Sequence, residues 1–220
     1  MKRLPLFLLL AGLAMLFPTP GRAEPVSPAS LETAVVASAY GTPLLIKLAR
    51  EGDVKGLLKQ AQSETNGEFL KVQDKYNNNL FHVAKNADTV QAVAALIRKF
   101  YGVKAPTQIE TMVNQRNSFQ ETPLLAQING GHADTFRPIY THSLLKKKND
   151  IARNQLARLR GSGPAIEARN KAIYCKEIRQ LSSANGFTLL QAAQAQVPYH
   201  PEIAPLAHAL PQMIPCLAQD

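Results

Sequence analysis

The sequence predicts an all-α fold in which about four short helical hairpins stack in a row. Four stretches of the chain share one pattern, a polar turn followed by a short apolar helix. The chain has no Trp, and its hydrophobic residues, 45% of the total, are mostly Leu, Ala, Ile and Val, which suit small, closely packed helices. A hairpin of this size cannot bury its apolar face alone, so the pattern favours a stack of neighbours.

The first 23 residues have the order of a secretory signal peptide. Lys2 and Arg3 give a positive start, and an apolar run over 4–17 follows. That run of about 14 residues is shorter than the roughly 20 needed to span a bilayer. No Cys directly follows the run, so a lipid-anchored form is not expected. We expect cleavage after Ala23, a proline-containing lead-in over 24–40, and no transmembrane segment in the mature chain. An uncleaved membrane anchor is the alternative.

The first predicted repeat covers 41–73. Apolar residues at positions 45, 48 and 49, and again at 54, 57 and 58, give two short amphipathic helices. Gly52 lies between these helices, where a left-handed turn costs glycine little. In the repeated pattern a Thr-Pro pair precedes the glycine at a usual distance. The pair Thr42–Pro43 lies one residue farther from Gly52 than that distance. Either the turn is a residue longer or the pair is coincidental.

The second predicted repeat covers 74–112. Asn77 stands where the turn needs a positive φ, which Asn tolerates better than most residues. Asn79 follows as a helix cap. Apolar residues over 90–97 predict the second helix of this hairpin. The segment near 104–111 is then expected to be a long finger or loop.

The third predicted repeat covers 113–143 and has the clearest pattern. Thr122–Pro123 begins its first helix, because proline is favoured at the first helical position, where its missing N–H is harmless. The second helix is predicted over 134–142 with Pro138 inside it, where proline kinks or shortens a helix.

The fourth predicted repeat covers 183–210. Gly186 and Thr188 keep the register of the earlier turns. Its second helix is predicted over roughly 201–210 and is expected to be broken by Pro205. Pro211 and Pro215 are then expected to stop helix growth. A degenerate last unit is expected where a stack ends in solvent.

A basic segment over 144–182 separates the third and fourth repeats. Between 144 and 180 there are ten Lys or Arg residues and three Asp or Glu residues, a net charge of +7 out of +9 for the whole chain. We expect two charged helices here, broken at 161–164, although a degenerate repeat is the alternative. The candidate basic patch consists of Lys146, Lys147, Lys148, Arg153, Arg158 and Arg160.

The repeated pattern resembles the ankyrin repeat, most clearly in Thr122–Leu124 and Gly131–His132. The resemblance implies a stack of helix-turn-helix units over 41–220 that binds proteins through its turn fingers and its concave helix face, without catalysis. It also implies that His82 ties neighbouring turns by hydrogen bonds. The residues that match the histidine position of the family are Ile46, His82, Leu125 and Gln191.

The turn fingers supply the candidate partner-binding residues. Exposed aromatic side chains at such tips are frequent anchors of protein interfaces. Packing of Phe119 and Phe187 against the adjacent finger is the alternative. The candidates are Lys75, Tyr76, Asn78, Arg116, Ser118, Phe119 and Phe187.

The two cysteines, Cys175 and Cys216, are expected to form a disulfide, because an even count in an exported chain favours one. Two buried thiols are the alternative. No HExxH, CxxC or GxSxG motif, Gly-rich phosphate loop or paired-carboxylate pattern is present. We therefore expect no catalytic residue, no metal site and no cofactor.

These patterns predict a periplasmic or secreted protein that binds a protein partner of unknown identity. One alternative is a secreted virulence factor that binds a host protein. Another is a binder of anionic membrane surfaces or polyanions through the basic segment. Nucleic acid is disfavoured, because the segment has only one aromatic residue, Tyr174, and because the chain is predicted to be exported.

Overall fold

A computed structural model describes residues 42–184 and 186–218 of the chain. The predicted signal peptide (1–23) and lead-in (24–40) lie outside the described residues. The described part is mostly helical, and its one sheet is a two-stranded antiparallel ladder of β1 (Ser183–Ala184) and β2 (Phe187–Thr188). The predicted all-α class is confirmed. None of the helices in this part is long and apolar enough to cross a bilayer.

Eleven α-helices follow one another in the described residues. Four short 3₁₀ segments accompany them, at Glu68–Lys71, Gly102–Lys104, Pro201–Ile203 and Pro215–Leu217. The α-helices are α1 (Leu44–Glu51), α2 (Val54–Gln60), α3 (Leu80–Val83), α4 (Ala87–Tyr101), α5 (Ala105–Asn114), α6 (Pro123–Asn129), α7 (Ala133–His142), α8 (Leu144–Arg158), α9 (Pro164–Leu181), α10 (Leu189–Gln196) and α11 (Ala204–Met213).

The helices pack as two rows. In one row α1, α3, α6 and α10 contact one another in that order, and in the other row α2, α4 and α7 do the same. The core lies between the rows, and removal of each large apolar side chain from water contributes about 2 kcal/mol. Stacking is thus what buries the apolar face of each hairpin. Among the most buried side chains are Ile46, Leu57, Phe81, Ile97, Ile128, Phe136 and Ile139.

The first-row helices share one register. The residue at the third helical position is Ile46 in α1 and His82 in α3. It is Leu125 in α6 and Gln191 in α10. The four helices therefore begin at equivalent points of the pattern. The caps agree in part, because both His82 and Gln191 complete a capping box with the residue three positions earlier.

His82 joins the second hairpin to the third. Its Nε2 lies 3.1 Å from the carbonyl oxygen of Glu121, and its Nδ1 lies 3.2 Å from the backbone N–H of Asn79. A carbonyl only accepts hydrogen bonds, so Nε2 donates and Nδ1 accepts from Asn79. Burial lowers the pKa of His82 to about 4. The imidazole is therefore neutral in the folded protein at pH 7.

The short helix α3 is completed by a side chain from its neighbour. Gln127 is fully buried, and its Nε2 donates to the backbone carbonyls of Phe81 and His82 at 2.9 and 3.0 Å. The hydroxyl of Thr135 donates in turn to Oε1 of Gln127 at 3.2 Å. Carbonyls at the end of a helix need such partners when they are buried.

The basic segment forms a helical hairpin, α8 and α9, that packs beside the rows. Asn149, which is buried on α8, donates from Nδ2 to the hydroxyl of Tyr140 on α7 at 3.0 Å and to the carbonyl of Met213 on α11 at 2.8 Å. Helix α8 is therefore bonded to both α7 and the end of α11. The sulfur atoms of Cys175 and Cys216 are 2.05 Å apart, so a disulfide joins α9 to the C-terminal 3₁₀ turn.

Three sequence expectations about local structure are wrong. The segment 104–111 is not a finger or loop, because it is largely the helix α5, which packs on α4 and α7. Pro205 does not break the last helix, since it lies in the first turn of α11, where its missing N–H costs little. Pro211 does not stop α11 either, because it lies inside the helix, which ends at Met213, two residues before Pro215.

We expect the His82→Gln variant to lose one component of acid sensitivity. The pKa of His82 is lower in the folded protein than the ordinary 6.5, so its stabilising contribution is complete above pH 6.5 and is lost as the pH falls toward about 4. The free energy of unfolding should fall by about 3 kcal/mol more in the wild type than in the variant between pH 7 and pH 4.

Glutamine is the matched replacement, because Gln191 completes the same capping box at the same helical position. Urea unfolding of both proteins across this pH range is the measurement. Parallel stability curves for the two proteins would contradict the buried neutral imidazole.

Removal of the disulfide should destabilise the fold. The bond closes a loop between residues 41 positions apart. The chain-entropy cost of such a loop gives a loss of about 4 kcal/mol for the Cys175→Ala, Cys216→Ala double variant. Urea unfolding with and without reductant measures the loss. Reductant should act on the wild type alone, and a wild-type transition that is insensitive to reductant would refute the bond.

Candidate functional site

Three polar turns lie before α3, α6 and α10 and share one backbone feature. The residue two positions before the helix cap has a positive φ in each turn, +60° at Asn77, +62° at Gln120 and +83° at Gly186. The caps themselves are Asn79, Thr122 and Thr188. The turns therefore repeat in the same register as the helices that follow them.

The first two of these turns are each held closed by one side chain. Oδ1 of Asp74 accepts hydrogen bonds from the N–H groups of Tyr76 and Asn78 at 2.9 and 3.0 Å. Oδ1 of Asn117 accepts from Phe119 and Glu121 at the same two distances. Asp74 and Asn117 are both buried, so these bonds are shielded from water.

Hydrogen bonds also join each turn to the next. The N–H of Ser118 donates to the carbonyl of Tyr76 at 2.8 Å. Nδ2 of Asn117 donates to Oδ1 of Asn78 at 2.9 Å. Arg116 extends the chain of contacts, since its guanidinium donates to the carbonyl of Ser183 at 3.1 Å. The three turns thus form one continuous ridge.

The tips of this turn ridge expose aromatic side chains. Tyr76, Phe119 and Phe187 are 43%, 53% and 58% exposed. The rings of Tyr76 and Phe119 contact each other with centroids 5.5 Å apart, and Nζ of Lys75 lies 4.9 Å from the centre of the Tyr76 ring. Contact between the two neighbouring turns therefore orders Tyr76 and Phe119 without covering them. We define the turn ridge as Lys75, Tyr76, Ser118, Phe119 and Phe187.

A cleft of about 290 Å³ lies beside the turn ridge, between α6 and α10. Leu125 and Ala192 give it apolar walls, and Phe187 forms part of its edge. Glu121 lines the same cleft and accepts a hydrogen bond from Nδ2 of Asn129 at 2.6 Å. The cleft and the aromatic tips together offer an apolar surface with a carboxylate and an amide beside it.

The structure divides the predicted partner-binding residues into two groups. Lys75, Tyr76, Ser118, Phe119 and Phe187 are exposed on the turn ridge. Asn78 and Arg116 are half-buried and hold neighbouring turns together instead, through the bonds given above. The cleft was not predicted, because its lining comes from α6, α10 and two turns that lie far apart in the sequence.

The lysine run of the predicted basic patch is paired with acids. Lys146 and Lys147 form ion pairs with Asp150 and Glu110, and Lys148 binds Glu177 at 2.6 Å. Arg153 donates to the backbone carbonyl of Gln212 at 3.5 Å and forms no ion pair with another described residue. Within residues 42–184 and 186–218, Arg158 and Arg160 make no ion pair. The free positive charge therefore lies further along the hairpin than the sequence indicates.

The described residues contain no group of three or more His, Cys, Asp or Glu side chains placed to hold a metal ion. Comparison with known proteins gives no further guide: no family model matches the chain, and no curated protein or solved structure is significantly similar to it.

The positive φ at Gln120 gives a testable stability change. A left-handed conformation costs a non-glycine residue about 1 kcal/mol, and the greater freedom of glycine in the unfolded chain offsets part of this. We expect Gln120→Gly to raise the free energy of unfolding by about 0.5 kcal/mol. Ala126→Gly in α6 is the control and should lower it by about 1 kcal/mol. Equal destabilisation of both variants in urea unfolding would rule out the shared turn conformation.

Proposed function

We propose that this chain is a non-catalytic protein-binding module of the ankyrin type. It binds a protein partner through the turn ridge and the adjoining cleft between α6 and α10. The observation that carries the proposal is the set of half-exposed aromatic tips on turns that are hydrogen-bonded to one another. Exposed aromatic side chains are the residues that most often anchor protein interfaces.

The rigidity of the turn ridge supports its proposed role in binding. The bonds from Ser118 and Asn117 to the preceding turn fix the backbone before a partner arrives. Association then costs less conformational entropy than it would for a loose loop. The carboxylate of Glu121 and the amide of Asn129 line the cleft, where they can orient a bound partner and add specificity to the interface.

The repeated geometry supports the ankyrin interpretation. First-row helices of like register, with a bonded turn before each of α3, α6 and α10, are the features that the ankyrin resemblance implies. The link from His82 to the carbonyl of Glu121 belongs to the same set. The disulfide supports an oxidising compartment, and with the signal-like N-terminus it favours the periplasm or the cell exterior. A host protein is the alternative partner if the chain leaves the cell.

Site-specific photocrosslinking in the native organism tests the proposal. A photoreactive phenylalanine analogue is placed at Phe119, which is exposed on the turn before α6, or at Phe187, which lines the cleft. Val103 is the control position, because it is 96% exposed in the link between α4 and α5, outside the turn ridge. Adducts are collected from separate periplasmic and extracellular fractions.

We expect one discrete protein adduct shared by positions 119 and 187 and absent from position 103. Its fraction distinguishes a periplasmic partner from an external one. Absence of adducts from both ridge positions, or the same adduct from position 103, would contradict binding through the turn ridge.

A further inference from the structure

Helix α9 carries an exposed stripe that alternates apolar and cationic side chains. Ile166, Arg169, Ile173 and Lys176 are spaced three, four and three residues apart, which places them on one face of the helix. All four are exposed, with Ile166 and Ile173 at 50% and 58%. We name these four residues the basic stripe. The opposite face of α9 packs inward through Cys175 and Ile178, which are both buried.

The positive charge of the basic stripe is not neutralised within the protein. Arg169 and Lys176 form no ion pair with any described residue of 42–184 and 186–218. The acids of the same helix are engaged elsewhere, since Glu177 binds Lys148 and Glu167 accepts a hydrogen bond from the N–H of Gly161 at 2.9 Å.

Two more cations extend this charge at the start of the helix. Arg158 ends α8 and Arg160 lies in the turn that leads into α9, and both are exposed. Among the described residues, Lys171 on α9 also lacks an ion pair, so five unpaired cations lie along α9 and the stretch from Arg158 to Arg160 before it.

Exposed isoleucine on a cationic helix distinguishes between anionic partners. A soluble polyanion attracts the charges but offers nothing to a β-branched apolar side chain. A lipid surface offers both, because the acyl boundary takes up apolar side chains while headgroup phosphates attract Lys and Arg. The alternation of Ile166 with Arg169, and of Ile173 with Lys176, fits that boundary.

We propose that the basic stripe docks on the surface of an anionic phospholipid membrane. Helix α9 lies along the headgroups with Ile166 and Ile173 directed into the acyl boundary and Arg169 and Lys176 among the phosphates. This interaction is independent of the turn ridge. Membrane attachment is thus assigned to the basic stripe on α9 and not to the ion-paired lysine run on α8.

Vesicle sedimentation with the full mature chain tests the proposal. The probes are vesicles of phosphatidylglycerol mixed equally with phosphatidylcholine, and vesicles of phosphatidylcholine alone. The wild type should bind only the anionic vesicles. Arg169→Gln, Lys176→Gln should weaken that binding about thirtyfold. The control, Lys146→Gln, Lys147→Gln, removes the same charge from ion-paired positions and should bind within about twofold of the wild type. Equal loss in both double variants would overturn the assignment.

A second pair of measurements separates a lipid surface from other anions. Ile166→Ser, Ile173→Ser should reduce vesicle binding about tenfold and leave retention on heparin unchanged. Both isoleucines are exposed, so the helical circular dichroism of this variant should match the wild type. Two results would refute the membrane proposal: vesicle binding that the isoleucine change leaves unaltered, or binding to polyglutamate as tight as binding to the vesicles. Either result would show that the basic stripe binds polyanions or acidic proteins.

Discussion

Each hairpin in this protein is too small to bury its own apolar face, and the rest of the structure depends on how neighbours complete it. Ile46, Phe81 and Ile128 are fully buried because helices of adjacent hairpins cover them. Polar contacts follow the same rule. His82 bonds to the turn of the next hairpin, and Gln127 reaches back to the carbonyls of the previous one. Removal of one unit would therefore leave both apolar surface and polar groups without partners.

The surface proposed to bind a partner is a by-product of this stacking. The turns come into line because the helices behind them share one register, and the bond from Ser118 to Tyr76 then joins them. The exposed aromatic tips inherit a fixed arrangement from a core that they do not belong to. Phe119 or Phe187 can therefore be replaced to suit a different partner without any change in the packing between the rows.

Features set by a few adjacent residues were predictable from the sequence. Gly52 has the expected left-handed conformation, Asn77 has the expected positive φ, and Asn79 caps a helix. Features set by distant residues were not. Gln120 adopts a positive φ without the residue type that usually signals one, since the turn it belongs to is fixed by Asn117 and by the preceding turn. Two of the three partners of the lysine run were hidden for the same reason, because Glu110 lies on α5 and Glu177 on α9.

Amide hydrogen exchange at Ser118 tests the central claim, that neighbouring turns are bonded into one row, most directly. Ser118 is exposed at a turn tip, so its N–H has no reason to be protected except the 2.8 Å bond to the carbonyl of Tyr76 in the preceding turn. The account predicts slow exchange, with protection close to that of the amides in α6. Exchange at the rate of an unstructured peptide would show that the turns are independent and would contradict the account.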